Sequence, residues 1–183
     1  MRICVFCASS TRVGEPYITP MRELGTEIAR RGHELVFGGY DTGLMGVVAH
    51  AVHDAGGFVH GVIPVSVGEF KARNIFEADD LREVESLTIR KETMKNLADA
   101  FIAGPGSYGT FDELFEVLVE QKLEIDTPKP VCVFNVNGCY DWLVKRCDEM
   151  VAENLVPEPD IVLWHEETQV GRMLDYIEAF EGH

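Results

Sequence analysis

The chain has 183 residues, of which 46% are hydrophobic, and its formal net charge is −15. This length and composition are typical of one globular domain and exclude a disordered chain. No apolar run approaches the roughly 20 residues that a membrane span needs, and the acidic charge disfavours general binding to nucleic acid or anionic membranes. The N-terminus enters an apparent strand without a signal-peptide layout, so a cytoplasmic location is expected.

Apolar runs alternate with amphipathic segments along the first half of the chain. From this spacing we predict strands over 2–8, 34–37 and 58–63, and helices over 16–31 and 44–55. Cys4 and Cys7 lie in the first strand, where residues three apart point to opposite faces. We therefore interpret them as packed thiols and not as a redox or zinc pair.

The second half of the chain continues this alternation after a polar segment over 65–82, which predicts a long and irregular loop. We predict strands over 83–85, 98–103, 129–134 and 161–164, and helices over 88–97, from a second glycine-rich loop to about 123, over 140–153 and over 167–180. The β-α-β order, without repeats or a linker, predicts one doubly wound α/β domain over residues 1–183 with a mainly parallel sheet. Ligands of such sheets bind at the carboxyl ends of the strands.

Two glycine-rich loops follow predicted strands and precede predicted helices. Residues 104–113 read Gly-Pro-Gly-Ser-Tyr-Gly-Thr-Phe-Asp-Glu, and such a turn presents backbone N–H groups and a helix dipole to an anion, typically a phosphate. Residues 38–46 form an earlier loop of the same kind, although their glycine spacing does not match a dinucleotide fingerprint. Two such loops predict a nucleotide-like ligand; the alternative is that the earlier loop is a tight turn without a ligand.

Glu113 has two interpretations. A carboxylate one turn into a helix, beside an anion-binding loop, can orient a water molecule or stabilise a cationic transition state. Thr110 and Glu113 also match a capping box, in which both side chains satisfy donors at the helix N-terminus. Glu116 and Glu120 continue along the same helix, where we expect a solvated face.

Arg90 and Lys91 open a helical segment in an otherwise acidic protein. Arginine recognises phosphate or ribose through a planar fork of donors. The alternative is that both cations form surface ion pairs with Glu92 or Glu85. The sequence shows no convincing metal-ligand spacing, Walker loop or Ser-His-Asp arrangement, so no metal or cofactor is predicted.

The chain resembles the LOG (LONELY GUY) family of cytokinin riboside 5'-monophosphate phosphoribohydrolases, which were long mislabelled as lysine decarboxylases. The likeness rests on motifs spread over nearly the whole chain. They are Ile3-Cys-Val-Phe-Cys-Ala-Ser-Ser, Gly38-Gly with Gly43-Leu-Met-Gly, Gly61-Val-Ile-Pro, Arg90-Lys91 with Met94, Ala98-Asp-Ala-Phe-Ile-Ala, the loop Pro-Gly-x-x-Gly-Thr-x-x-Glu and Lys129-Pro-Val.

This resemblance implies a Rossmann-like fold and hydrolysis of the N-glycosidic bond of adenosine 5'-monophosphates, often N6-prenylated, to free base and ribose 5-phosphate. It implies that Arg90 and Glu113 are the catalytic pair. The residues that it implies for nucleotide and phosphate binding are Gly39, Gly43, Met45, Lys91, Gly106, Ser107, Tyr108, Gly109 and Thr110. It also implies a homodimer with the site near the subunit interface, and a reaction that needs no metal or redox cofactor.

The chain departs from the family pattern at several positions. Tyr40 and Asp41 stand where glycine and serine are usual, and Ser107 replaces the second glycine of the later loop. If that position needs a positive φ, serine there costs on the order of 1 kcal/mol. Tyr40 and Thr88 are expected to alter the base pocket, and Glu69 is a candidate for a family glutamate in the long loop.

Two other functions are compatible with these loops. A binding module would hold a nucleotide or a pterin-like phosphate without hydrolysis, as in molybdenum-cofactor carriers of the same fold. Pyridoxal-phosphate-dependent lysine decarboxylation, suggested by the family's older label, would require Lys91 or Lys95 to form a Schiff base. The chain is short for such an enzyme.

Overall fold

The computed structural model describes residues 1–65, 74–125, 127–156 and 164–181. The strands of the described residues are β1 (Arg2–Phe6), β2 (Glu34–Phe37), β3 (Val59–Pro64), β4 (Asp80–Val84), β5 (Ala100–Ala103), β6 (Val131–Phe134) and β7 (His165–Glu167). Their α-helices are α1 (Glu15–Arg30), α2 (Gly43–Asp54), α3 (Leu87–Leu97), α4 (Tyr108–Lys122), α5 (Asp141–Ala152) and α6 (Val170–Ala179). Across these ranges no helix is long and apolar enough to cross a lipid bilayer.

The seven strands form one sheet in the order β4-β3-β2-β1-β5-β6-β7, and each pair of neighbouring strands is parallel. The chain steps outward from β1 to β4 and then returns to place β5 on the other side of β1. This order confirms the predicted α/β class with a parallel sheet. The direction in which strands are added reverses at β1 and β5. The loops that leave these two strands therefore line a crevice, which is where sheets of this kind bind ligands.

Helices cover both faces of the sheet because its central strands are apolar on both sides. On one face α1, α2 and α6 contribute core residues such as Leu24, Val48 and Met173. On the other face α3, α4 and α5 contribute a second core that includes Leu114 and Leu143. The Rossmann-like, doubly wound arrangement follows from these two cores.

Cys4 and Cys7 lie in different cores, as their spacing in a strand predicts. Cys4 belongs to the core under α3, α4 and α5, whereas Cys7 belongs to the core under α1, α2 and α6. Both are free thiols, and burial raises the pKa of each. A buried thiol with a raised pKa is a packing group and not a reactive nucleophile.

The two edge strands differ most from the sequence predictions. β4 begins at Asp80, inside the predicted loop, and β7 lies at His165–Glu167, just after the predicted strand over 161–164. Both edge strands are polar and mostly half-buried or exposed, so they lack the apolar run that reveals a central strand. Residues 66–73, with Glu69, and 161–163 lie outside the described part of the chain.

Candidate active site

A cleft of about 250 Å³ opens at the carboxyl ends of the strands, where β1 and β5 diverge. The loops that leave β1 and β5 are joined by hydrogen bonds from Ala8 N–H to the Pro105 carbonyl (3.0 Å) and from Gly104 N–H to the Phe6 carbonyl (2.8 Å). The residues that line the cleft are Cys7, Ala8, Ser9, Tyr40, Met45, Leu87, Arg90, Lys91, Ser107, Gly109, Thr110, Asp112 and Glu113.

Arg90 and Glu113 meet in the wall of this cleft. Arg90 Nη1 donates to Glu113 Oε1 at 3.2 Å, and Arg90 Nε donates to the Val62 carbonyl at 3.0 Å. The two side chains are only 10% and 12% exposed, so the ion pair is largely shielded from water. Burial raises the pKa of Glu113 above its ordinary value, and the adjacent guanidinium offsets part of that rise. A carboxylate held in this way is suited to acid–base or electrostatic catalysis.

The capping-box interpretation of Glu113 is wrong. Helix α4 begins at Tyr108 with Ser107 as its N-cap, and the Ser107 side chain makes no capping hydrogen bond. Thr110 therefore lies at N3 and not at the N-cap, and Glu113 lies one turn beyond the positions that a capping box occupies. The Glu113 side chain instead crosses to α3 and pairs with Arg90.

Gly38 makes room for the Arg90 guanidinium. A Cβ atom at Gly38 would lie 1.8 Å from Arg90 Nη2 and 3.0 Å from Met45 Sδ. The guanidinium thus packs directly against backbone that carries no side chain. Gly38 was not among the predicted site residues, because its role depends on a contact with Arg90, 52 residues further along the chain.

Lys91 and Lys95 bind a row of carboxylates on α4. Lys91 Nζ lies 2.8 Å from Asp112 Oδ2 and also contacts Glu116. Lys95 Nζ lies 2.6 Å from Glu116 Oε1 and 2.5 Å from Glu120 Oε1. The predicted solvated face at Glu116 and Glu120 is therefore wrong, since both side chains tie α4 to α3. The alternating charges hold the two helices that carry Arg90 and Glu113 in one register.

The loop after β5 presents the first turn of α4 to the cleft. Ser107, Gly109 and Thr110 line the cleft, and the backbone N–H groups of a first helical turn have no partner within the helix. Gly106 packs against Thr110, whose Oγ1 would lie 2.1 Å from a Cβ at Gly106. Tyr108 does not line the cleft and is 91% exposed.

The strain expected for serine in this loop does not occur. Ser107 has φ −132°, which is an ordinary extended value for any residue. The replacement of glycine by serine therefore leaves the backbone of the loop unstrained.

The loop after β2 contributes side chains to the cleft and glycines to its frame. Met45 and the buried Tyr40 line the cleft, whereas Gly39 and Gly43 do not. Gly39 has φ 78° and packs against β3, and Gly43 has φ 56° and packs against the backbone of residues 8–10. Glycine is needed at both positions, because the backbone has a positive φ and neighbouring atoms approach too closely for a Cβ atom.

Asp41 belongs to a different surface from the cleft. Its Oδ1 lies 3.0 Å from His50 Nε2, and it lines a separate cavity beside α1 and α2. Of the two departures from the family pattern in this loop, only Tyr40 faces the cleft. Thr88, which was also expected to alter the base pocket, does not line the cleft, whereas its neighbour Leu87 does.

Several lining residues were absent from the sequence prediction. Cys7, Ala8 and Ser9 follow β1, and Leu87 and Asp112 flank the arginine and the glutamate along their helices. The position of residues 7–9 directly after a predicted central strand was the available signal, because the carboxyl ends of parallel strands share one edge.

The sheet order and the cleft at its switch point place this protein in the Rossmann-like class of α/β proteins. Residues 45–177 match the model of a family described as "Possible lysine decarboxylase". This match covers more than half of the chain, and the chain belongs to this family.

Similar proteins are named as phosphoribohydrolases and not as lysine decarboxylases. Cytokinin riboside 5'-monophosphate phosphoribohydrolase LOG of Oryza sativa subsp. japonica is 43% identical over 157 residues, which cover 86% of this chain and 64% of the rice protein. Cytokinin riboside 5'-monophosphate phosphoribohydrolase LOG2 of Arabidopsis thaliana is 43% identical over 157 residues, which cover 85% of this chain and 72% of that protein. The chain thus spans about two thirds of the length of these relatives.

Solved structures share the fold. The molybdenum cofactor binding protein from Rippkaea orientalis superimposes with a TM-score of 0.71, at 19% identity, over 97% of this chain and 95% of that protein. At such low identity the likeness concerns the fold and carries no assignment of ligand.

Proposed function

We propose that the protein hydrolyses the N-glycosidic bond of adenosine 5'-monophosphates, with or without an N6 substituent, and releases the free base and ribose 5-phosphate. The observation that carries this proposal is the shielded Arg90–Glu113 pair, which lies in one cleft with the N-terminus of α4. Relatives that are 43% identical to this chain are named for the same reaction, which supports the proposal.

Glu113 acts on the developing charge of the sugar. The bond between the anomeric carbon and the base nitrogen breaks, its electron pair leaves with the base, and positive charge grows on the ribose ring. The Glu113 carboxylate stabilises this charge and accepts a proton from the attacking water, whose oxygen forms the new bond to the anomeric carbon. The departing base takes up a proton from solvent, and Glu113 later returns its proton to solvent, so that the net reaction consumes one water molecule. Arg90 orients Glu113 and holds the sugar.

The phosphate binds at the first turn of α4. Ser107, Gly109 and Thr110 present this turn to the cleft, and a helix N-terminus favours an anion through its free N–H groups and its dipole. Lys91 supplies a lining cation from α3, beside this helix. Met45 and Tyr40 border the remaining space, which we assign to the base. Gly39, Gly43 and Gly106 shape the two loops, and Tyr108 is placed outside the cleft.

Base release is the first test of this function. Purified protein is incubated with AMP and with N6-isopentenyl-AMP, and free adenine and free N6-isopentenyladenine are measured by chromatography. We expect base from at least one nucleotide and little from the matching nucleosides, because they lack the phosphate that the α4 N-terminus would bind. If neither nucleotide yields base but one of them binds, the protein is a nucleotide-binding module instead.

The lysine environments argue against a pyridoxal-phosphate decarboxylase. Schiff-base formation requires a neutral amine with a lowered pKa. Partial burial alone would lower the pKa of Lys91 and Lys95, but the carboxylates of Asp112, Glu116 and Glu120 outweigh it and raise both. These lysines are held as ammonium ions and are poor nucleophiles.

We also propose that the protein is a homodimer. Helix α4 and the C-cap residue that ends it carry a row of exposed apolar side chains at four-residue spacing, Phe115, Val119 and Leu123, on a face distinct from the ion pairs with α3. Exposed apolar residues that line up on one helix face are typical of interaction surfaces. The resemblance to a family of dimers supports a second copy as the partner.

An aspartate in the apolar row is expected to separate the dimer. We expect light scattering to give a mass near twice the 20.4 kDa of the chain for the wild type, and a single-chain mass for Phe115→Asp. Phe58→Asp is the matched control, since Phe58 is 42% exposed against 41% for Phe115 but lies before β3, away from α4. A Phe115→Asp protein that kept the mass of the wild type would contradict this interface.

Four predictions from the sequence remain predictions. They are the single domain over residues 1–183, the cytoplasmic location, the lack of binding to nucleic acid and membranes, and a reaction that needs no metal or cofactor.

A further inference from the structure

The cations that line the cleft are already paired. Among the described residues, Arg90 and Lys91 are the lining cations, and Asp112 and Glu113 are the lining carboxylates. Arg90 pairs with Glu113, and Lys91 pairs with Asp112 and with Glu116, a third carboxylate that it shares with Lys95. An incoming phosphate would therefore have to compete with a carboxylate for its cation, in a protein whose net charge is −15.

Two of the three carboxylates are held in place. Glu113 is 12% exposed and pairs with Arg90, whose Nε is bound to the Val62 carbonyl. Glu116 is shared between Lys91 and Lys95, so its movement would break two ion pairs.

Asp112 is different. Its side chain is 63% exposed, although its Oδ2 lies 2.8 Å from Lys91 Nζ. An exposed ion pair of this kind contributes little net stability, so rotation of Asp112 into water costs little free energy. Lys91 is only 20% exposed and stays on the wall of the cleft.

We propose that Asp112 is a displaceable counter-ion of Lys91, which the phosphate of an incoming ligand replaces, so that Asp112 sets the affinity of the cleft for phosphorylated ligands. This inference rests on the proposed function, since it concerns the same cleft and the same class of ligand. In the empty cleft Asp112 neutralises Lys91. When a phosphate binds, Lys91 exchanges one oxygen anion for another and Asp112 turns to solvent. When the product leaves, Asp112 returns and competes with rebinding.

The test is the binding of ribose 5-phosphate measured by titration calorimetry. Asp112→Asn keeps the shape of the side chain and removes its charge, and we expect it to bind ribose 5-phosphate about fivefold more tightly than the wild type. Asp148→Asn is the matched control, because it removes one exposed carboxylate from α5 and leaves the cleft untouched. The gain should shrink as ionic strength rises.

A double variant tests whether Asp112 acts through Lys91. Lys91→Met is expected to weaken binding, and the addition of Asp112→Asn to Lys91→Met should then give no gain. The inference is overturned if Asp112→Asn binds no more tightly than Asp148→Asn, if its gain persists without Lys91, or if no variant binds ribose 5-phosphate.

The outcome is separable from the fate of the proposed hydrolase. A gain in Asp112→Asn together with no base release from any nucleotide would retain the counter-ion and overturn hydrolysis. Base release by the wild type together with an unchanged affinity in Asp112→Asn would do the reverse.

Discussion

Glu113→Gln is expected to lower kcat/KM for base release by about 10²–10⁴-fold, the usual size of a lost acid–base group. The amide keeps the size of the side chain, but it bears no negative charge for the oxocarbenium-like ribose and accepts no proton from water. The nucleotide should still bind, because Ser107, Gly109 and Thr110 line the cleft independently of Glu113. Steady-state base release and calorimetric binding of AMP measure the two effects separately.

The matched control is Glu92→Gln. It is the same chemical change at an exposed position of α3, two residues from Arg90, and it should leave kcat/KM near that of the wild type. Full turnover by Glu113→Gln would remove Glu113 from the reaction.

The pH dependence of the wild type provides a further check of the same role. Burial raises the pKa of Glu113 above its ordinary value of 4.5, and the reaction requires the ionised form. The acid limb of kcat/KM should therefore lie above pH 4.5, with activity lost as the pH falls through the raised pKa. An acid limb at or below the ordinary value would contradict a buried catalytic carboxylate.

Gly38→Ala is expected to lower kcat/KM by about 10²-fold, because a misplacement of roughly 1 Å in a catalytic group is enough for such a loss. The new methyl group would lie 1.8 Å from Arg90 Nη2, so the guanidinium must leave its position beside Glu113. Overpacking also lowers the free energy of unfolding, typically by 1–3 kcal/mol. Base release at a temperature well below the midpoint of thermal unfolding measures the catalytic part alone.

A double variant separates displacement of Arg90 from general damage. If Gly38→Ala acts through Arg90, then Gly38→Ala combined with Arg90→Ala should be no less active than Arg90→Ala. Gly14→Ala is the matched control, since its Cβ would meet only Pro16 Cδ at 3.5 Å, an ordinary contact. Additive losses in the double variant would show that Gly38 acts by another route.

The proposed function and the proposed counter-ion use different parts of the cleft. Arg90 and Glu113 are shielded from water and held in place by their ion pair. Groups that stabilise a short-lived transition state need such a fixed position. Lys91 and Asp112 lie nearer to solvent and can exchange partners. In these proposals the first pair governs the rate of bond breaking, and the second governs how tightly a phosphorylated ligand is held.

The amino-acid sequence by itself determined the class of the fold and the two loops. Central strands and helices are visible as local spacing of apolar residues, and glycine-rich turns between them point to the carboxyl edge of the sheet. The edge strands β4 and β7 do not show this apolar spacing, because one side of an edge strand faces solvent and its residues are polar. Arg90 and Glu113 were also named from local motifs and the family resemblance.

Only the tertiary structure decided which of these residues meet. The order β2-β1-β5 brings the loops after β1 and β5 together, and no local pattern encodes that order. Three features join residues from different elements. They are the ion pair of Arg90 with Glu113, the ion pairs of the α3 lysines with α4 carboxylates as far as Glu120, and the packing of Arg90 against Gly38. Local patterns describe how a segment folds, whereas contacts between distant segments depend on how the packed layers place them side by side.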